Sequence, residues 1–149
     1  MLNIGICDDF PIFRELIETY IRQYDEKKEN IFNIRQFGSG EELLDWLDRE
    51  NARFDLLFLD YYMKKLTGLE TAKRIRQSEL KDSKAACSIV FVTSMDDPYE
   101  LMSVHPLRVI RKPVSQEIIN DILARVLAEK GGAIAPSAPR PAAAGKEER

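Results

Sequence analysis

Cysteine and histidine are almost missing from this chain of 149 residues, which holds two of the first and one of the second. Cys7 and Cys87 stand far apart and form no CxxC or zinc-ligand spacing, so reduced, buried thiols are expected. His105 has no second histidine or nearby cysteine to share a metal, and reads as a loop or surface residue. Neither sign of charge dominates: 22 Lys plus Arg face 25 Asp plus Glu, for a net charge of -3. Without a basic block, general binding to nucleic acid or to an anionic membrane is not expected of this segment. No uncharged run reaches the roughly 18 to 20 residues that span a bilayer. The start, Met1-Leu2-Asn3-Ile4-Gly5-Ile6, lacks the basic stretch and cleavage site of a signal peptide. What is present is a globular composition, 44% hydrophobic and 32% charged, at the length of one domain. A mildly acidic cytoplasmic protein is the resulting expectation.

The chain divides in two. Residues 131–149, GGAIAPSAPRPAAAGKEER, are mostly Gly, Ala, Pro and Ser with a charged end, and predict a flexible linker or tail without a core. Residues 1–130 alternate short apolar runs with helical patterns. Strands are predicted at Leu2–Cys7, Ile31–Phe37, Leu56–Leu59 running into Asp60, Ile89–Val92 running into Thr93, and Leu107–Arg111. Ile12, Phe13, Leu16, Ile17, Tyr20, Ile21 and Tyr24 form the stripe of a first helix, with Pro11 in its first turn and Asp9 as its expected N-cap. Ser39 with Glu42 and Thr67 with Glu70 are capping boxes that open the second and third helices. A short fourth helix is expected from Pro98, capped by the Asp96-Asp97-Pro98 run. A last helix follows Ser115, with a stripe from Ile118 to Leu127. Trp46 and Tyr20 are expected on helix faces packed against the sheet, and Cys7 in the core. Five strands alternating with five helices predict a doubly wound α/β domain with a parallel sheet covered on both faces.

In such sheets ligands gather at the carboxyl ends of the strands. There the sequence places Asp8 and Asp9, Asp60, Thr93 with Ser94, and Lys112 with Pro113. Each alone has an ordinary explanation as a cap, a turn residue or a solvated charge. Together they put three carboxylates, a hydroxyl and an ammonium on one rim. Three close carboxylates repel one another, and a hard divalent cation relieves that repulsion; an all-oxygen set favours Mg²⁺. Lys112 and Thr93 suit the oxygens of a phosphate, and Asp60, leaving the central strand, is the candidate nucleophile for an aspartyl phosphate.

These positions resemble the receiver domains of bacterial two-component response regulators, over about residues 1–130. The resemblance rests on Asp8-Asp9, on Asp60 with Met63 and Gly68 in the spacing Asp-x-x-Met-x4-Gly, on Thr93, and on Lys112-Pro113. It implies a flavodoxin-like strand order, 2-1-3-4-5, and Asp60 as phosphoacceptor from a sensor histidine kinase. It further implies Mg²⁺ held by Asp9 and Asp60, by Asp8 through water and by the backbone carbonyl of Tyr62. Thr93 and Lys112 would bind phosphoryl oxygens, with a cis peptide before Pro113. The chain would be no enzyme beyond phosphotransfer to itself and its own dephosphorylation. The stretch from His105 to Pro113 is similar to the subgroup whose receivers precede a LytTR-type DNA-binding domain. Such an effector is absent from this chain, and a second copy of the chain is a further candidate partner.

Three residues depart from the family pattern. Lys64, followed by Lys65, stands where the family has Pro after the Met. Ser94 replaces a small apolar residue. Val109 occupies the position of the Tyr or Phe that turns inward on activation, so activation is expected to work through a shift of the loop or of the fourth helix instead. Two rivals compete with the phosphorylated receiver. A haloacid-dehalogenase-type phosphatase needs a second carboxylate where this chain has Tyr62. A degenerate receiver would bind partners without phosphorylation.

Overall fold

The computed structural model describes residues 1–25, 32–94 and 99–130. The elements run β1 (Leu2–Cys7), α1 (Pro11–Asp25), β2 (Phe32–Phe37), α2 (Gly40–Glu50), β3 (Leu56–Asp60), α3 (Gly68–Asp82), β4 (Ser88–Thr93), a 3₁₀ helix (Tyr99–Val104), β5 (Arg108–Arg111) and α4 (Gln116–Lys130). The strands form one parallel sheet in the order β2-β1-β3-β4-β5. Among the described residues, four α-helices and the 3₁₀ helix complete a flavodoxin-like fold.

The apolar runs are continuous because alternate residues feed opposite cores. Ile4 and Ile6, Phe58, and Val90 and Val92 point to one face, where they meet Ile17 and Ile21 of α1 and Ile119, Ile122 and Val126 of α4. Cys7, Leu57 and Leu59, and Ile89 and Phe91 point to the other, under Leu43, Ile75 and Leu101. Burying each such side chain contributes roughly 1.5–3 kcal/mol. Trp46 belongs to this second layer, stacked on Phe54 with centroids 5.3 Å apart and covered outside by Arg35. Tyr20 packs at the edge of the first.

Caps fix where the helices begin. Thr67 accepts from the Glu70 amide and Glu70 accepts from the Thr67 amide, a complete box. Ser39 accepts from the Glu42 amide, but the Glu42 carboxylate takes the Gly38 amide instead of the Ser39 amide. Ser115 accepts from Ile118 and starts α4. Asp9 does not cap α1: the Phe10 carbonyl accepts from Phe13 and Arg14, so Phe10 holds the capping position, with Pro11 first in the helix. The Asp8 side chain accepts from the Phe10 amide at 2.9 Å, so this first turn is set by Asp8 rather than Asp9.

The fourth helix is short, as expected, and is a six-residue 3₁₀ helix from Tyr99 to Val104. His105 follows in the left-handed region at φ 52° and ends it, exposed as expected. The Asp96-Asp97-Pro98 run, Ile31 and residues 131–149 lie outside the described residues. β5 begins at Arg108, because Leu107 is used in the approach, its amide bonded to the Ile89 carbonyl.

Candidate functional site

Four strand ends meet at one rim, as parallel crossovers require. Asp8 follows β1, Asp60 closes β3, Thr93 closes β4 and Lys112 follows β5. The amide of Lys112 donates to the Thr93 carbonyl at 2.9 Å and holds the last two ends together. Thr93 itself is fully buried. The Lys112–Pro113 peptide is cis.

Asp8, Asp9 and Asp60 each present an oxygen within 4.8 Å of the others, close enough for one cation to touch all three. Lys112 reaches into the group from the β5 side. Its Nζ lies 3.2 Å from Asp8 Oδ2 and 3.3 Å from Asp60 Oδ1. Its other side rests on Phe13, 4.0 Å from the ring centroid, where the π-face favours the cation. Asp8 is held twice more: its Oδ1 by the Phe10 amide and its carbonyl by Arg14 Nη1 at 2.7 Å.

The charges do not balance. Three carboxylates make three repulsive pairs, and the ammonium contacts only two of the three. Burial and the neighbouring Asp8 outweigh Lys112 at Asp60, whose carboxyl is pushed up to about 6. Burial likewise pushes the Cys7 thiol beneath the site far up, so it stays neutral and packs against Met63. Asp9 Oδ1 is buried with no hydrogen-bond partner among the described residues. A buried carboxylate oxygen without a partner is costly, and a hard divalent cation among these oxygens would remove that cost. The donor set therefore fits a metal ion.

The turn after β3 completes the rim. Gly68 donates to the Tyr61 carbonyl at 2.8 Å, and a Cβ at Gly68 would collide with the Asp60 carbonyl oxygen. Glycine there lets α3 start directly against the strand end that carries Asp60. Tyr62 sits in this turn, half exposed, its ring edge-on to Tyr61. Lys64 and Lys65 are exposed beyond it. Val109 stands apart from the carboxylates, partly buried on β5 against the second core layer.

Phe13 and Arg14 were not legible as site residues. Phe13 reads as part of the α1 stripe and Arg14 as its polar face. Arg14 departs from that stripe only by sitting one turn from two aspartates, a weak signal without the fold.

The chain matches the response regulator receiver domain family over residues 4–124. It is 33% identical over 101 residues to a protein-glutamate methylesterase/protein-glutamine glutaminase of Nitrosospira multiformis, covering 68% of this chain and 25% of that protein. It is 28% identical over 125 residues to a positive alginate biosynthesis regulatory protein of Pseudomonas aeruginosa, covering 82% of this chain and 46% of that protein. The chain thus spans less than half the length of either curated relative. Among solved structures, the response regulatory domain of protein mrkE from Klebsiella pneumoniae superposes with a TM-score of 0.72 at 21% identity, covering 88% of this chain and 99% of that one. The chemotaxis response regulator CheY4 of Vibrio cholerae gives 0.68 at 25% identity, covering 85% and 99%. The family match runs through every strand end at the acidic rim, and the chain belongs to the response regulator receiver domains of two-component systems.

Proposed function

We propose that the chain is a phosphorylation-dependent switch in which Asp60 accepts a phosphoryl group from the phosphohistidine of a sensor histidine kinase. The observation that carries this reading is Asp60 itself: a buried strand-end carboxylate, 3.3 Å from the Lys112 ammonium and grouped with Asp8 and Asp9. An Asp60 carboxylate oxygen attacks phosphorus, the P–N bond breaks, and its electron pair stays on the histidine nitrogen. Asp9 and Asp60, with Asp8 through water and the Tyr62 backbone carbonyl, would hold Mg²⁺, which supplies charge neutralisation at the phosphoryl oxygens. Lys112 then exchanges a carboxylate contact for a phosphoryl oxygen, and the Thr93 hydroxyl binds another. The buried rim excludes bulk water and keeps these groups in place, which is most of what phosphoryl transfer asks of a protein.

The remaining assignments follow from that reading. The receiver comprises residues 1–130, and 131–149 is a linker or tail. A transfer from a sensor kinase places the domain in the cytoplasm. Its output is transcriptional, through an effector domain of the LytTR DNA-binding type beyond this segment, or through pairing of two receivers. The receiver acts on no substrate besides its own aspartate. Val109 has no ring to turn inward, so the signal passes through the segment between Thr93 and Lys112, where a 3₁₀ turn stands in place of an α-helix.

Incubation with Mg²⁺ and acetyl phosphate, followed by intact mass, tests this directly. A gain of one phosphoryl group that disappears in Asp60→Asn is expected. No gain, with a known receiver labelled in parallel, would sink the reading.

A further inference from the structure

Arg14 stands on α1 four residues before Glu18, the spacing at which a helix usually pairs an arginine with a carboxylate. Both Glu18 oxygens are already taken, Oε1 by Gln36 Nε2 at 2.7 Å and Oε2 by Arg22 Nε at 2.8 Å. The half-buried Arg14 guanidinium turns to two neutral oxygens instead. Its Nη1 donates to the Asp8 carbonyl at 2.7 Å and its Nε to Gln36 Oε1 at 3.0 Å. Gln36 thus braces Arg14 from β2, and Glu18 braces Gln36 in turn.

The carbonyl that Arg14 holds belongs to the peptide joining Asp8 to Asp9. That peptide is a rigid plane, so rotating it changes ψ of Asp8 and φ of Asp9 together and swings both carboxylates. A bond from a charged donor is the shorter and stronger kind, and this one is short. Asp8 is fixed on its other side as well. Its amide donates to the Phe37 carbonyl at 3.2 Å, and its carboxylate meets the Phe10 amide and the Lys112 ammonium. Asp9 is held less, since its Oδ1 is buried with no hydrogen-bond partner among the described residues. The direction of that oxygen therefore depends on the peptide before it, which Arg14 fixes.

We propose that Arg14, braced by Gln36, is a positioning residue that holds the Asp8–Asp9 peptide in the orientation that lets both carboxylates share one divalent cation. It acts through the peptide rather than on the cation, since it meets a carbonyl and not a carboxylate. The proposal deepens the phosphotransfer reading above and rests on it for the identity of the cation as Mg²⁺. The sign of the effect separates this role from two others. A guanidinium beside the rim repels a cation, so removing Arg14 merely as a charge would tighten Mg²⁺ binding. Removing it as a brace weakens binding, because a partner one layer behind the metal ligands typically carries about 10–100-fold in metal affinity. A bond that served stability alone would leave the affinity of the folded chain unchanged.

The test compares the full chain with R14M and Q36L by calorimetric Mg²⁺ titration near neutral pH, and by amide chemical shifts before metal is added. R14M is expected to bind Mg²⁺ about 10–100-fold more weakly, with the Asp8 and Asp9 amides shifted in the metal-free protein. Q36L keeps Arg14 and every carboxylate but loses the brace, and should weaken binding by a smaller factor, roughly three- to tenfold. Phosphoryl uptake from acetyl phosphate by R14M should need more Mg²⁺ for half its maximal rate, in proportion to the lost affinity. Its rate at saturating Mg²⁺ should stay within about threefold of the parent's. Unchanged or tighter Mg²⁺ binding in R14M overturns the proposal. Should R14M fail to fold, Q36L decides, and unchanged affinity with unmoved Asp8 and Asp9 amides overturns it. A parent that binds Mg²⁺ but takes up no phosphoryl group overturns the transfer reading alone, and the affinity comparison still decides Arg14. A parent that binds no Mg²⁺ overturns both.

Discussion

The ammonium of Lys112 lies 4.0 Å from the centroid of the Phe13 ring, so helix α1 supports the one cation that the buried carboxylates share. The same ammonium lies 3.2 Å from Asp8 Oδ2 and 3.3 Å from Asp60 Oδ1. A cation over an aromatic face is worth about 0.5–1 kcal/mol at such partly exposed sites. Phe13→Leu should therefore keep the fold but slow phosphoryl uptake by about two- to fivefold, as Lys112 loses its fixed position. Single-turnover labelling with acetyl phosphate measures this, and an unchanged rate would remove Phe13 from the site.

Asp60 is ionised at a cost in the metal-free protein. Its carboxyl is held up at about 6, above its ordinary value of 3.8, so the folded state binds that proton more tightly than the unfolded one. Stability contributed by the protonated form is present below about pH 4 and lost as pH rises through about 6, a swing on the order of 3 kcal/mol. Asp60→Asn removes the titration. Its thermal midpoint should exceed the parent's by roughly 10 °C at pH 7 without divalent cation, with the gap closing as pH falls from 6 to 4. A gap independent of pH would contradict the burial of charge at Asp60.

The orphaned Asp9 oxygen predicts the response to metal. Mg²⁺ should raise the midpoint of the parent at pH 7, and less so in Asp9→Asn, where a donor is lost and the repulsion is already smaller. Affinity should fall as pH drops through about 6, because a proton on Asp60 competes with the cation. Calorimetric titration at pH 7.5 and 5.5, roughly either side of that value, checks the direction.

Gly68 is set by packing rather than by a turn angle. Gly68→Ala drives a methyl group into the Asp60 carbonyl, and should cost about 1–3 kcal/mol while weakening Mg²⁺ binding, as the strand end is displaced. Denaturant midpoints and metal titration of the same variant read both effects.

Arg76 joins three carbonyls to the Glu79 carboxylate, a pair mostly out of solvent. Arg76→Met leaves Glu79 without its cation and should destabilise the domain by about 3–5 kcal/mol. Amide exchange over residues 101–109 should rise more than in β1 or β3, since those carbonyls lose their anchor. Uniform loosening would deny Arg76 its local role.

The central strands were legible because their residues are apolar on both faces, which only a sheet covered on both sides accommodates, and their ends carry acids. Asp8, Asp9, Asp60, Thr93 and Lys112 could be placed on one rim from strand-end position alone. The short fourth helix was legible in its place and length but not in its kind: the Arg76 guanidinium, donating to the Val104 and His105 carbonyls, and the left-handed His105 close it as a 3₁₀ helix. Asp9 fitted the N-cap pattern but Phe10 holds that position, since Asp8 bonds the Phe10 amide first.

By itself, then, the sequence determined the strand order's raw material and the chemistry of the rim, because both are written in local runs and in residue types at strand ends. Tertiary structure alone decided which oxygens share Lys112, which one is left without a partner, and what supports the ammonium. Those facts depend on side chains from β1, β3, β5 and α1 that are distant in the chain and meet only when the sheet closes.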